Sequence, residues 1–224
     1  MKIRKIWALL ALSMMTTSAF ADINLQAIYM KDGVETTIEA GEELTADAPL
    51  HVRFLSNASS LSATAQVEWR IRNMATGTTV TRYDQDIEYT FVEAGKNVVL
   101  LQVRDDDVIS ESATITITIS ESHLEMPNAF SPNNDGKNDI YRAKPEKHKS
   151  IVEFHAYIFN RYGQKLYEWT NINDGWDGTY HGHPVKDGVY YVYVEARGAD
   201  GVEYKIRRDV NLMREYNPVE TYGQ

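Results

Sequence analysis

The sequence predicts an all-β chain, two β-sandwiches in tandem behind a cleaved leader. Three observations carry that prediction. Apolar and polar residues alternate at the period of two that marks a half-buried strand, and almost nowhere at the 3.6 of a helix. The strand-like runs are short and closely spaced, with Gly41, Gly77 and Gly95 between them. The mature length allows two units of about 100 residues, each able to bury roughly 65% of its unfolded surface without staples. The chain has no Cys, so it holds no disulfide.

The leader comes first. Lys2, Arg4 and Lys5 form a basic start, and Ile6 to Met15 is an apolar run broken only by Ser13. Ala19-Phe20-Ala21 is a small-x-small cleavage site that makes Asp22 the mature N-terminus. Residues 1–21 therefore read as a secretory signal peptide, too short in its apolar run to be a spanning helix. No later segment is apolar enough to be a transmembrane segment, so the chain is expected in the periplasm, at the outer membrane or on the cell surface.

Residues 22–122 read as the first sandwich. Val67, Trp69 and Ile71 alternate with polar residues, Tyr89-Thr90-Phe91 and Asn97 to Val103 follow, and Ala113 to Ile119 alternates Thr with Ile. The last run demands one wet face and one buried face. The boundary is set at Glu121 to Pro127, where the Thr/Ile alternation gives way to a polar stretch. Residues 123–214 read as the second sandwich, with strands at Ile151–Phe159, Gln164–Trp169, Val189–Val194 and Tyr204–Leu212. Arg161-Tyr162-Gly163 and Asp200-Gly201 are hairpin turns in which Gly supplies positive φ. The final strand, Tyr204 to Met213, is the expected open edge for a strand-adding partner. Residues 215–224 read as a polar tail.

Charge separates the halves. Residues 22–122 carry 17 acids against 7 bases, and residues 123–214 carry 13 of each. A chain of net charge −9 with this distribution argues against nucleic acid as partner and against binding anionic lipid through a basic patch.

Candidate chemistry concentrates in the second half. Half of the residues in Asn128 to Tyr141 are Asn, Asp or Gly. A calcium loop of the EF type needs acids at set positions and a bidentate acid at the twelfth. With Gly136 at the sixth position, the twelfth is Arg142, which excludes that motif. Two states stay open: Ca2+ held by Asn133, Asp135 and Asp139, or Asn and Asp side chains capping their own backbone in successive turns. Capping is the expectation. His181 and His183, with Asp177 or Asp187, have the atom types of a zinc site, but Gly182 and Pro184 favour a plain hairpin. Trp169, Trp176, Tyr180, Tyr190, Tyr191 and Tyr193 would make a sugar-stacking platform if they shared one face. In an ordinary sandwich, Tyr190 and Val192 face one way and Tyr191 and Tyr193 the other. No G-x-S-x-G elbow and no thiol are present, and the acids at Asp105 to Asp107 read as a turn. Catalysis is not expected.

Four ordered motifs carry a resemblance. Asn128-Ala129-Phe130-Ser131-Pro132-Asn133-Asn134-Asp135-Gly136-Lys137-Asn138-Asp139 resembles the opening of the gliding-motility-associated C-terminal domain of Bacteroidetes. Ile158-Phe159-Asn160-Arg161-Tyr162-Gly163 is similar to that family's central IFNRWG turn, with Tyr for Trp. Trp176-Asp177-Gly178, then Gly188-Val189-Tyr190-Tyr191, resembles its WDG…GVYYY hairpin. Val210-Asn211-Leu212-Met213-Arg214 is similar to its closing strand. The family is the type B C-terminal signal domain of type IX secretion. The resemblance implies an Ig-like sandwich recognised by the type IX translocon and attachment machinery. It also implies that Phe130, Pro132, Asn133, Asp135, Gly136, Asn138, Asp139, Asn160, Arg161, Gly163, Trp176, Asp177, Gly178, Gly188, Tyr190, Leu212 and Arg214 form the signal motif.

The first half is similar to PKD-like Ig modules through Val67-x-Trp69, Tyr89-Thr90-Phe91 and the strand from Gly95 to Val103. Arg70-Ile71-Arg72-Asn73 stands where that family has FGDG. No large cargo precedes the signal domain. The arrangement therefore resembles a small component of the secretion system itself, which reports secretion status to the periplasmic region of a sensor histidine kinase. The alternative is a cell-surface binding or adhesion protein whose PKD-like half is the cargo and whose second half is only an export and anchoring signal.

Overall fold

The computed structural model describes residues 22–214 apart from 60, 106 and 107. The leader at 1–21, with Ala19 and Ala21, and the tail at 215–224 lie outside the described residues. So do two of the three acids expected in the 105–107 turn. Asp22 lies inside and exchanges backbone hydrogen bonds with Ser59 (3.1 and 2.9 Å).

Among the described residues there is no α-helix, only one 3-10 turn at Pro145–Lys147. The first half supplies β1 (Gln26–Lys31), β2 (Val34–Glu39), β3 (Glu43–Ala46), β4 (Leu50–Leu55), β5 (Gln66–Asn73), β6 (Thr79–Arg82), β7 (Ile87–Phe91), β8 (Gly95–Asp105) and β9 (Val108–Ile119). The second supplies β10 (His123–Leu124), β11 (Ala129–Phe130), β12 (His148–Lys149), β13 (Ile151–Phe159), β14 (Lys165–Trp169), β15 (Thr179–Tyr180), β16 (His183–Pro184), β17 (Gly188–Gly198) and β18 (Glu203–Leu212).

In the first sandwich a sheet ordered β2-β1-β4-β7 faces one ordered β3-β9-β8-β5-β6. The alternating sequence explains the packing. Ile115, Ile117 and Ile119 of β9 are buried while Thr114, Thr116 and Thr118 between them are not. Trp69 of β5 is fully buried, its ring centroid 5.9 Å from Phe54 of β4, and its indole N–H donates to Asp84 O (3.0 Å). That bond removes the one polar group that would make so large a side chain costly to bury.

The second sandwich has one complete sheet, ordered β11-β18-β17-β13-β14. Opposite it lie short pieces: the β10-β12 and β15-β16 pairs and a bridge between Tyr141 and Trp176. Large aromatic side chains fill the space that a second regular sheet would cover. Trp176 lies 5.4 Å from Phe130 and 5.0 Å from Tyr190, and Tyr141 lies 5.6 Å from Phe130, centroid to centroid. The final strand, β18, has a strand partner on its outer side only at its C-terminal end, so among the described residues Glu203 to Val210 stay an open edge, as expected. β17 pairs along one side of it, and β11 joins the other side in parallel at Asn211 and Leu212. The outermost strands are β11 and β14.

The two sandwiches are joined by more than the chain. Ser120 donates through N–H and Oγ to Ala46 O (3.0 and 3.1 Å), which ties the connection to the first sandwich. Ser122 donates through N–H and Oγ to the Asp200 carboxylate (2.8 and 2.7 Å), which ties it to the second. Across the junction, Ala94 N–H donates to Ala199 O (2.9 Å), and within the second sandwich Ala199 N–H donates to Ser150 O (2.9 Å). Ala48 N–H donates to Ser150 Oγ (3.2 Å), and Ser150 is 2% exposed. Ala199, from the turn between β17 and β18, packs into the first sandwich's core with Val152 beside it.

Candidate functional site

The motif residues meet at one end of the second sandwich, and most of them turn out to hold the fold. The Asn133–Asp139 loop closes on the Asp139 carboxylate. Its Oδ1 accepts from the N–H groups of Asn133 (2.9 Å) and Asn134 (2.7 Å), and its Oδ2 accepts from Gly136 N–H (2.8 Å). Asp135 accepts from Lys137 N–H (2.7 Å) and from the Asn133 side chain (3.1 Å). The Lys137 N–H holds the Asp135 carboxyl below its ordinary pKa, with Asn133 adding to the effect. Asn134, Gly136 and Asn138 have φ of 63°, 83° and 54°, positions at which Asn and Gly are tolerated.

This geometry is the self-capping state. The loop turns its N–H donors inward onto a carboxylate, which is the arrangement for an anion. A cation held by Asn133, Asp135 and Asp139 would need those oxygens released and regrouped. Among the described residues, no three His, Cys, Asp or Glu side chains are grouped to hold a metal.

The second motif is a turn locked by Asn160. Its Oδ1 accepts from Tyr162 N–H (2.9 Å) and Gln164 N–H (3.1 Å), while its Nδ2 donates to Gln164 Oε1 (2.9 Å). Gly163 takes the positive φ, 78°, that the turn requires. Gln164 reaches on to the Tyr180 hydroxyl (3.1 Å), which fastens the turn to the β15–β16 hairpin.

The third and fourth motifs interlock. Trp176 is fully buried, its indole N–H donates to Thr179 O (2.7 Å), and its backbone pairs with Tyr141 in both directions (2.8 and 3.1 Å). Asp177 caps Thr179 through N–H (2.9 Å) and Oγ1 (2.8 Å). Gly178 has φ of 77°, and a Cβ there would meet Pro132, Leu212 and Arg214 at 3.0–3.2 Å, so three motif residues crowd it. Arg214 donates to Val185 O (2.7 Å), Gly178 O (3.0 Å) and Asp187 Oδ1 (2.6 Å), while its own N–H donates to Asp187 Oδ2 (2.7 Å). The Tyr190 hydroxyl donates to Lys186 O (2.6 Å), and burial raises its pKa. Gly188 lies at the start of β17 with φ of 146°.

Phe130, Trp176, Tyr190 and Leu212 are therefore core, and the Asn, Asp and Gly members shape turns. Arg161 stands apart. It is exposed, its guanidinium lies 4.9 Å over the ring of Tyr162, and its Nη2 donates to the Tyr162 hydroxyl (2.9 Å). Among the described residues no carboxylate pairs with it.

Two other candidates dissolve on inspection of geometry. His181 and Gly182 form the turn of the β15–β16 hairpin, where both His side chains are exposed. The neighbouring acids are engaged elsewhere, Asp177 on Thr179 and Asp187 on Arg214. The six aromatics of the sugar platform do not share a surface: Trp169, Trp176 and Tyr190 are buried, whereas Tyr191 and Tyr193 lie on the outer face of the sheet. There, Tyr157 lies opposite Tyr193 and Phe159 opposite Tyr191. Tyr157 and Tyr193 stack on each other at 6.1 Å and 18°, and Lys165 and Arg207 lie over their rings. The Tyr157 and Tyr193 faces covered in this way are not open for sugar stacking, and Tyr191, 48% exposed, is left as a single open ring rather than a platform. The period of two in the sequence separates inward from outward rings, but it cannot show that outward rings cover one another.

The family model described as the CHU_C type IX secretion signal domain matches residues 124–206. Residues 124–206 are thus similar to a type IX secretion signal domain, a match that implies export by the type IX machinery. No helix among the described residues is long and apolar enough to cross a membrane. No curated protein matches the chain. Similar solved structures include a tetra-tandem repeat from the extending region of a large adhesion protein, 12% identical over 86% of this chain and 67% of that one, with a TM-score of 0.28. The Bacteroides ovatus mixed-linkage glucan utilization protein SGBP-B, in complex with a heptasaccharide, is 14% identical over 76% of this chain, with a TM-score of 0.29. Dimeric latent PorU from Porphyromonas gingivalis is 11% identical over 86% of this chain, with a TM-score of 0.27. The chain spans 42% of SGBP-B and 20% of PorU.

Proposed function

We propose that this type IX secretion substrate is a non-catalytic protein of the outer envelope whose two sandwiches work together as one body through contact with other proteins. The observation that carries this reading is the junction between them. A signal domain used only as a removable label needs an accessible connection to its cargo. Here the connection is pinned from both sides at Ser120 and Ser122. Ala199 of the second sandwich is part of the first one's core. Separating the halves would expose apolar surface and free the Ala94 N–H and the Ala199 carbonyl.

The order of the two units, a PKD-like module followed by a signal domain, resembles the PorA component of type IX secretion. On that reading the partner is the periplasmic region of a sensor histidine kinase, and the contact relays secretion status. Intact-mass analysis of the protein from periplasm, outer membrane and medium tests the first part. A chain that keeps residues 123–214 in the envelope supports a working second sandwich. A chain that ends near Ser122 overturns it. The relay is tested by deleting the gene, since unchanged expression of the secretion genes would exclude it.

The charge of the first half favours a second reading. With 17 acids against 7 bases, residues 22–122 would suit a surface-binding cargo for a basic partner. The same mass analysis separates the two, because a cargo domain requires only that residues 22–122 reach the surface.

A further inference from the structure

A groove opens beside the Arg161–Tyr162 turn, between that turn, the β15–β16 hairpin and the start of β17. Its volume is about 690 Å³. Charge in it is one-sided. Arg161 and Lys186 line it, and among the described residues neither pairs with a carboxylate. Asp187 is the one acid in its wall, and Arg214 neutralises it through two hydrogen bonds. Two uncompensated cations therefore share a concavity on a chain of net charge −9.

The rest of the lining suits a peptide. Tyr162 is 79% exposed and Tyr191 48% exposed, and Tyr and Arg are the residues that dominate binding energy at protein interfaces. Arg161 and Tyr162 already hold each other, on a turn locked by Asn160, so little ordering is left to be lost on binding. Leu166 and Val185 add apolar wall. One face of Tyr162 is taken by its own Arg161, which leaves a poor stacking surface for an anionic sugar ring.

We propose that this groove docks an acidic, aromatic-containing peptide segment of a partner protein. The segment's carboxylates pair with Arg161 and Lys186, and an aromatic side chain packs beside Tyr162 and Tyr191. The proposal rests on the reading that the chain works by protein contact, and it names the chemistry of that partner.

The test is fluorescence anisotropy on the full chain from Asp22. The probe is a labelled peptide of five Glu and two Tyr spaced by Gly, and its counterpart carries Lys for Glu. The Glu peptide should bind saturably, and the Lys peptide at least about tenfold more weakly. Arg161→Glu with Lys186→Glu should weaken the Glu peptide by about tenfold or more, whereas Lys205→Glu with Arg207→Glu on the sheet face should leave it within about twofold. A thermal melt confirms that the variants fold. Unsaturable binding, or binding that survives the Arg161 and Lys186 reversal, overturns the proposal. So does equal competition by polygalacturonate through the same residues, which would assign the groove to a polysaccharide. A dimer in sedimentation that the same reversal dissolves would assign it to a second copy and also overturn it. Retention of residues 123–214 in the envelope is scored by mass alone, so the functional reading and the groove can fail separately.

Discussion

Asp139 accepts three backbone N–H groups, and Asp139→Ala removes all three acceptors at once. The loop is open to water, which repairs part of the loss. The expected destabilisation is about 1–2 kcal/mol in urea unfolding, with Asp139→Asn intermediate because one carbonyl oxygen remains. Adding Ca2+ should leave the wild-type midpoint unchanged. A calcium-dependent rise that Asp139→Ala abolishes would restore the cation site. Trp176→Ala should cost about 3–5 kcal/mol, since it empties the centre of an aromatic cluster and orphans Thr179 O. Arg161→Ala should fall within about 0.5 kcal/mol of wild type, because its contacts are with the neighbouring, exposed Tyr162. The capping role of Asn133, Asp135 and Asp139 was legible in the sequence because such bonds span two to six residues. The role of Arg214 was not, because Gly178, Val185 and Asp187 lie 27–36 residues away and meet it only in the folded chain.

Strands with strict alternation were legible, and those without it were not. β9 and β13 follow the Thr/Ile and mixed aromatic patterns closely. β2 and β3 carry no buried residue, so no periodic signal announces them. β11 is two residues long and exists because β18 offers it a parallel partner. The turn between β17 and β18 does unexpected duty as a contact element. A Cβ on Gly198 would lie 2.1 Å from Ser122 Oγ and 2.4 Å from Ser122 Cβ, so Gly198→Ala must push the connection away. It should lower the melting temperature and open the chain to trypsin and chymotrypsin around 120–125, where wild type resists. Asp200 beside it gives a pH dependence. Burial opposes its ionisation, but the Ser122 and Val202 donors outweigh burial and leave its pKa below the ordinary value. A depressed carboxylate stabilises above its unfolded pKa of about 3.9, and the contribution is lost as pH falls through the folded value. A double-mutant cycle of Ser122→Ala with Asp200→Asn should therefore show a coupling of up to about 1 kcal/mol at pH 6, discounted for solvent exposure. The coupling should vanish in acid below the folded pKa. A coupling unchanged into strong acid would mean that the Asp200 charge does not hold the connection.

For the whole molecule, sequence alternation implied two cores but could not show how the cores meet. Periodicity describes which side of a strand is dry, and a junction made of Ala48, Ala94, Ser150 and Ala199 has no period. Its residues are small because backbone approaches backbone there, and small residues give little hydrophobic signal. The junction makes a prediction about unfolding. If the sandwiches share Ala199 and the Ser150 bonds, they should melt together, in one transition seen alike by calorimetry and by the fluorescence of Trp69 in one half and Trp176 in the other. Trp69→Phe leaves the second half's Trp169 and Trp176 to report alone, so its difference from wild type gives the first half's signal. Ser150→Ala removes the acceptor for Ala48 N–H at a site 2% exposed, and should cost about 1–3 kcal/mol and split the transition. Two separate transitions in the wild type would make the halves independent. The pinned connection would then lose its force as an argument for a retained signal domain, and the cargo-and-label reading would gain. A single transition that Ser150→Ala divides would mean that removing the signal domain also damages the first sandwich, and selection would then favour keeping both.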